Sequence, residues 1–394
     1  MSYDILVLFG ILAVSASLYS FYAGFEFNRQ VTIAINRPKS GFKPKVCLVM
    51  PCKGAEPGLG TNIEAMLRQD YVNYFAVVVA DSYQDSAYAI ASQIFALNPS
   101  SNTQIQVAEP RLRASGKVAA LLTALSKTKG QAEVYAFVDS DARIPPDRLT
   151  GLVDPLIDGS VGATTGFRWY FPLHGGVWSH LEAAWNASGT NLLFNARYNF
   201  PWGGGMAVRS EALSKIGIEN EWATAISDDM ALSSALRQHG YSVVFLPQCT
   251  VATFIQFDLP HLVEWATRQT VLTRVFNPKV WRYALVAYAF LDLVFLLGLV
   301  GLSLGVMLNP IWLIPSVLLL TPTVSGFMRS WQRYSTFRRV LPHLSAEFDR
   351  DRYPHVAVSF LVPWIMIYCI IKSSLTHAIE WRGRKYNLSG RSSV

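Results

Sequence analysis

The chain has 394 residues, of which 51% are hydrophobic and only 15% charged, against about 25% charged in an ordinary soluble domain. That length holds one catalytic domain of common size plus a membrane region, and excludes three independent domains. The formal net charge of +7 is of the kind that binds nucleic acid or an anionic membrane surface. The membrane accounts for it better, because the basic residues cluster beside apolar runs: Arg29, Arg37, Lys39, Lys43 and Lys45 after the first, Arg329, Arg333, Arg338 and Arg339 after a later one. No base-reading motif accompanies them, so no nucleic-acid partner is expected, and no obligate protein partner is evident. Cys47, Cys52, Cys249 and Cys369 have no metal-ligand spacing and read as reduced and unligated.

In chain order, the first apolar run, from about Ile5 to Tyr22, is long enough to span a bilayer. Asp4 precedes it and no basic segment does, which favours an uncleaved anchor over residues 1–28, with its N-terminus outside, over a signal peptide. A charged stretch, 36–258, follows. Within it, residues 45–50 (KVCLVM), Phe75–Ala80 and Val134–Val138 are short continuous apolar runs separated by helical spacing, as from Thr61 to Gln69. That alternation indicates a buried parallel sheet. Residues 259–280 carry Leu262, Trp265, Ala266, Leu272 and Phe276 interleaved with Arg268 and Arg274. The pattern fits an amphipathic helix on the membrane surface or a helix facing a protein core, and its lead into the next apolar runs favours the surface.

Residues 281–376 hold the strongest membrane signals. Tyr283–Leu308 and Ile311–Met328, joined at Asn309-Pro310, read as a helical hairpin, while Val356–Ile371 is shorter and contains Pro363, so it spans, re-enters or lies at the interface. If it spans, Arg382, Arg384 and Lys385 in the basic tail 377–394 finish outside, against the charge rule. The tail's Trp381 and Tyr386 fit an interfacial anchor. Asp292, inside a membrane run, is a functional candidate or a paired polar residue.

The chemistry concentrates at strand ends. Asp139 and Asp141 follow the strand Val134–Val138 two residues apart, and the C-terminal edge of a doubly wound sheet is where ligands bind. Two hard carboxylates so spaced suit Mg²⁺ or Mn²⁺ bridging a diphosphate, although an Asp-Ser-Asp surface loop is common. Pro51-Cys52-Lys53-Gly54 after the first strand, Asp81 after the second, Gly116-Lys117 before a helix and Asp228-Asp229 further on add weight against a solvated loop.

With these residues in view, the segment from about Pro51 to Arg274 resembles the inverting GT-A glycosyltransferases, and among them the ceramide glucosyltransferase group with its bacterial lipid-modifying relatives. PCKGAEPGLGTNIEAMLRQDY is similar to that group's opening segment, Asp81 and Asp85 to its first acidic site, VDSDARIPPD to its second and ISDDMAL to its third. The resemblance implies an α/β, Rossmann-like GT-A nucleotide-sugar domain flanked by transmembrane helices, using a UDP-sugar and a divalent metal to glycosylate a membrane lipid, with inversion. It implies donor contacts at Pro51, Lys53, Asp81, Asp85, Lys117 and Asp139, and a metal held by Asp139 and Asp141. It also implies catalysis by Asp229 as general base with Asp228 beside it, Arg268 on the diphosphate, and acceptor contacts at Trp202, Gly204, Gly205, Trp265 and Gln269. A general-base carboxylate works best partly buried or beside a like charge, which Asp228 supplies. The family's Q/R-x-x-R-W signature falls on Trp265–Gln269, where only Arg268 stays in place and Gln269 replaces the Trp.

Two other readings stand beside this one. A processive polysaccharide synthase needs a channel, for which three or four apolar runs are few. A catalytically dead scaffold or flippase partner is disfavoured by all three acidic sites being present. The aromatics Phe167, Trp169, Tyr170, Phe171, Trp178, Trp185 and Trp202 are core or sugar-pocket residues, core being commoner. His174, His180 and His261 have no ligand spacing. The expected location is a cell membrane, the inner or plasma membrane in a bacterium, with the catalytic domain cytosolic. The acceptor is open among ceramide, a hopanoid-type lipid, diacylglycerol and polyprenyl phosphate, and the sugar is open too, glucose being the first candidate.

Overall fold

The computed structural model describes residues 3–99, 102–111, 113–381, 384–389 and 392–393. In chain order the elements are α1 (Tyr3–Ile35), β1 (Val46–Cys52), α2 (Leu59–Leu67), β2 (Tyr74–Ala80), α3 (Ser86–Leu97), β3 (Thr103–Val107), α4 (Gly116–Lys127), β4 (Val134–Val138), α5 (Arg148–Val153), β5 (Val161–Thr165), β6 (Arg168–Pro172) and α6 (Val177–Ser188). Then come β7 (Gly205–Arg209), α7 (Ser210–Lys215), α8 (Ile218–Trp222), α9 (Asp228–Gln238), β8 (Ser242–Phe245), β9 (Val251–Ile255), α10 (Leu259–Phe276), α11 (Pro278–Met307), α12 (Leu313–Val340), α13 (Ser345–Val358) and α14 (Val362–Leu375). Three short strands, β10 (Ala378–Trp381), β11 (Arg384–Ser389) and β12 (Ser392–Ser393), close the chain.

These elements form two compact units: a sheet unit of Ala34–Trp169, Leu192–Thr253 and His377–Val394, and a helical unit of Met1–Ile33, Tyr170–Asn191 and Phe254–Thr376. The charged stretch 36–258 is therefore divided, with Tyr170–Asn191 and the residues after Thr253 grouped among the helices.

The sheet unit is built on a seven-stranded sheet in the order β3-β2-β1-β4-β7-β5-β8. β1, β2, β3 and β4 are parallel, β7 runs antiparallel to both β4 and β5, and β5 and β8 are parallel. The strands expected from continuous apolar runs are those buried on both faces, which is how central parallel strands read in a sequence. Leu48, Met50, Val78, Ala136 and Val138 share one core with Ile63, Leu149 and Leu152. β1 continues past its expected end through Pro51, which pairs with Val79 of β2 but lies beyond the last pair made with β4, Val49↔Phe137. There a missing N–H removes no ladder bond to β4. Asp85 caps α3, Ser115 α4 and Ser227 α9, each side-chain oxygen accepting from an early helix amide.

In the helical unit, α1, α11, α12 and the stretch Pro342–Leu375 are long and apolar enough to cross a membrane. Gly298, Gly301 and Gly305 of α11 let α12 approach: a Cβ on them would fall within 2.8 Å of Leu320, 2.4 Å of Ser316 and 2.5 Å of Leu313. Leu6 and Ala13 of α1 pack with Val294 and Leu319. Two segments run longer than their apolar runs suggest. α1 continues to Ile35, its polar end held by Arg29 donating to Glu26 at 2.7 Å. The third run extends through Pro354 and Pro363, with the second proline at the start of α14, where its missing N–H is harmless.

Other expectations change within this unit. Leu262, Ala266 and Leu272 of α10 are buried in protein, so the side expected to lie on lipid packs inward, against α14 and α6 among others. The aromatics fall to the core: Trp169 and Phe171 are fully buried, Tyr170 packs edge-on to Trp265, and Trp265 edge-on to Trp185. Of the basic tail residues, Arg382 lies outside the described residues.

Candidate active site

The C-terminal edge of the parallel strands collects the charged residues. β1 and β2 are in register with Cys52 opposite Ala80, so the residues that follow, Lys53 and Asp81, emerge side by side and pair at 3.6 Å. Asp85, one of the expected donor contacts, also ties two segments together. It accepts from the Gly54 amide at 2.9 Å and from Ala87 at 2.8 Å, locking the loop after β1 to the start of α3.

Asp139 and Asp141 leave β4 at the same edge. Between them Ser140 is turned away, its hydroxyl donating to Glu56 at 2.5 Å and its carbonyl accepting from Asn62 at 2.8 Å. With the middle residue anchored to the loop and helix after β1, the two aspartates present their carboxylates together. A single nitrogen of Arg168 shows how close they stand: Nη2 donates to Asp139 Oδ2 at 2.6 Å and to Asp141 Oδ1 at 2.8 Å, while Nη1 reaches Asp141 Oδ2 at 3.0 Å. The guanidinium also lies 4.8 Å from the centre of the Trp202 ring.

Lys117, at the start of α4, joins this group to the third acidic site. Its Nζ is 2.8 Å from Asp139 Oδ1 and 3.2 Å from Asp228 Oδ2. Burial pulls the ammonium's pKa down, but Asp139, Asp228 and Asp229 outweigh it and hold it above its usual range. Asp228 is only 3% exposed, and burial pushes its carboxyl up to about 6 against the pull of Lys117. The perturbed carboxyl is thus Asp228, the residue expected to act only as Asp229's neighbour. Asp229 is half-exposed. Its Oδ1 accepts from the Ser227 hydroxyl and from the Met230 amide, and its Oδ2 faces the Gly203 amide at 3.5 Å.

The glycine run follows from the strand order. β7 is antiparallel to β4 with Gly205 opposite Val138, so the residues entering β7 lie against the acids leaving β4. A Cβ on Gly203 would sit 2.2 Å from Asp228 Oδ2, one on Gly204 2.2 Å from Asp139 Oδ2, and one on Gly205 2.5 Å from Arg148 Nη2. Gly204 and Gly205, the residues expected on the acceptor side, give the carboxylate and Arg148 room. Arg148 is fully buried behind them, donating to the Cys249 carbonyl at 3.2 Å, and burial lowers its pKa to about 10.

Arg168, Arg148, Glu56 and Asn62 are the site residues that sequence reasoning missed. Arg168 stood among aromatics in the run 167–171, and Glu56 and Asn62 stood inside the opening motif, but their partners lie on other strands. Trp265, Arg268 and Gln269 are on α10, in the helical unit.

Among the described residues no group of three or more His, Cys, Asp or Glu is assembled to hold a metal. Asp139 and Asp141 nevertheless fit one: they are hard oxygen donors within reach of one nitrogen, and the place between them already attracts a cation, Arg168. A Mg²⁺-like ion ordinarily takes one or two protein carboxylates and fills its shell with substrate phosphates and water.

An acid-lined strand edge on a mixed sheet of this order fits a GT-A-type glycosyltransferase, and the family model bears out that class. More narrowly, the chain belongs to glycosyl transferase family 21, whose family model matches residues 8–394. It is 26% identical over 210 residues to the beta-monoglucosyldiacylglycerol synthase of Synechocystis sp., covering 52% of this chain and 42% of that protein. The chain thus spans less than half the length of this curated relative. Among solved structures it is similar to the mannosyltransferase PcManGT from Pyrobaculum calidifontis in complex with GDP-Man and Mn²⁺, at 15% identity and a TM-score of 0.49, covering 93% of this chain and 98% of that one. It is also similar to a mycobacterial protein, at 20% identity and a TM-score of 0.40, covering 60% and 78%.

Proposed function

We propose that this chain transfers a sugar, glucose being the first candidate, from a UDP-sugar to a hydroxyl of a membrane lipid, with inversion at the anomeric carbon. The observation that carries the reading is the meeting of Asp139, Asp141 and Asp229 with Lys117 and Arg168 at one strand edge. It combines the two things the reaction needs, positive charge for a leaving diphosphate and an accessible carboxylate for a proton.

In this reading Asp229 takes the proton from the acceptor hydroxyl as its oxygen bonds to the anomeric carbon, and the bond to the diphosphate breaks with both electrons leaving on the phosphate. Gly203 and Ser227 hold Asp229 in place through its two oxygens. Lys53 and Asp81, at the ends of β1 and β2, hold the nucleoside side of the donor. Lys117 keeps Asp139 and Asp228 together and offers its charge to the phosphates, and Trp202, with Arg168 on its face, borders the sugar. A divalent cation held by Asp139 and Asp141 would add positive charge on the diphosphate. Arg268 is assigned to the diphosphate by family resemblance.

The lipid acceptor is supported by the membrane-length helices and by the name of the curated relative. Diacylglycerol therefore joins ceramide as the first acceptor to try. The basic residues that follow the first apolar run support a cytosolic catalytic stretch by the positive-inside rule.

The test is incubation of membranes containing the full chain with radiolabelled UDP-glucose, followed by chloroform extraction. Label in an alkali-characterised glycolipid is expected. Label in an insoluble polymer would establish the processive alternative, and transfer from no nucleotide sugar would sink the reading altogether.

A further inference from the structure

Arg329 and Arg333 lie four residues apart on α12, on one face of the helix, and are only 9% and 8% exposed. Both point at one neutral atom. Arg329 Nη2 donates to Asn191 Oδ1 at 2.7 Å, and Arg333 Nη2 approaches the same oxygen at 3.4 Å. Among the described residues neither makes an ion pair. Other arginines nearby in the chain do: Arg338 and Arg352 pair with Asp349, and Arg350 with Asp351. A buried guanidinium without a carboxylate is costly, and two that repel each other cost more.

The surroundings make room for the pair instead of neutralising it. On α1, Gly24 has no side chain where Gln332 and Arg329 pass, and a Cβ there would lie 1.9 Å from Gln332 Oε1 and 2.7 Å from Arg329 Nη1. Arg333 feels Tyr288 and His355, neither of which brings a carboxylate. The missing charge is therefore to come from a ligand, and adjacent guanidinium forks match the oxygens of a phosphate. Position says where that phosphate resides. The apolar run Ile311–Met328 ends immediately before Arg329, so on a helix that crosses the bilayer this pair stands at the level of the lipid phosphates.

We infer that Arg329, Arg333 and Asn191 form a binding site for the phosphate of a membrane lipid. The site is independent of which hydroxyl accepts the sugar.

The experiment is a thermal melt of the full-length protein in detergent with phosphatidylglycerol, with inorganic phosphate or with UDP, on the parent, Asn191→Asp and Arg333→Gln. Phosphatidylglycerol is expected to raise the parent's Tm by several degrees while the soluble anions do not. Asn191→Asp supplies the missing carboxylate from within the chain. It should melt higher than the parent without lipid and lose the lipid-induced shift, and Arg333→Gln should lose that shift too. Should Arg333→Gln fail to fold, Asn191→Asp decides alone, with native mass spectrometry reading retained phospholipid on parent and variant. A parent that does not respond to phosphatidylglycerol, an Asn191→Asp variant that responds as the parent does, or a shift reproduced by inorganic phosphate or UDP overturns the inference.

Discussion

Lys117 and Arg168 in the sheet unit and Arg329 and Arg333 in the helical unit are all largely withdrawn from solvent, yet only the first pair meets carboxylates. Lys117 and Arg168 divide Asp139, Asp141 and Asp228 between them at 2.6 to 3.2 Å, whereas Arg329 and Arg333 share one amide oxygen. The difference separates two ways of holding positive charge in a low-dielectric place. Where the counter-charge belongs to the chain, a ligand enters by exchanging partners, and the site keeps its shape before the ligand comes. Where the counter-charge is absent, the ligand itself completes the structure.

The largest expected effect on the carboxylate side comes from Asp229→Asn. Transfer should fall by about 10³-fold, the scale of a lost general base, with UDP binding by calorimetry close to that of the parent. Lost binding would instead make Asp229 part of the donor site. Next is Gly204→Ala. A methyl group 2.2 Å from Asp139 Oδ2 must move that carboxylate, and a misplacement of this kind costs about a hundredfold in kcat/KM. Parent-like kinetics would show that Asp139 can shift without consequence.

The third prediction concerns pH. Asp228 titrates in the folded protein at about 6, above its ordinary 3.8, so the fold favours its protonated form. Its contribution to stability is complete below 3.8 and is lost as the pH rises through about 6. Asp228→Asn keeps a neutral group throughout. The variant should therefore gain stability relative to the parent between pH 4 and pH 8, on the order of 2 kcal/mol, read as the change in their Tm difference. A pH-independent difference would mean that Lys117 neutralises Asp228 fully. The smallest effect is on cation affinity. Arg168→Gln vacates the place between Asp139 and Asp141 and should tighten Mn²⁺ binding in the absence of donor, measured by tryptophan quenching, by about tenfold, or 1.4 kcal/mol. Weaker binding would make Arg168 an organiser of the carboxylates and not a competitor for their place.

Much of this was readable in one dimension. β1, β2 and β4 announced themselves because strands buried on both faces are continuous apolar runs, and an acid or lysine directly after such a run marks the ligand edge. Lys117 was legible as a basic residue before a helix, and the Asp228-Asp229 pair as an acidic doublet. What escaped were features that depend on a neighbour distant in sequence. β7, inserted antiparallel beside β4, begins with glycines, and its role in making room for Asp139 exists only once that pairing is known. Arg168 reads as one residue of an aromatic run until β4 is placed beside it, and Glu56 as one more acid until it meets Ser140. In the helices, Pro363 left spanning, re-entry and an interfacial position open, although it sits at the start of α14 inside one long stretch. Likewise the apolar stripe of α10 looked the same whether protein or lipid covers it.

The grip of Arg168 on Asp139 and Asp141 also bears on how the protein behaves at the bench. Carboxylates already held by a guanidinium need no ion to stay in place, so treatment with a chelator should leave the melting curve where it was. Any requirement for a divalent cation will show in turnover alone, and activity lost to the chelator should return when the ion is added back, without refolding.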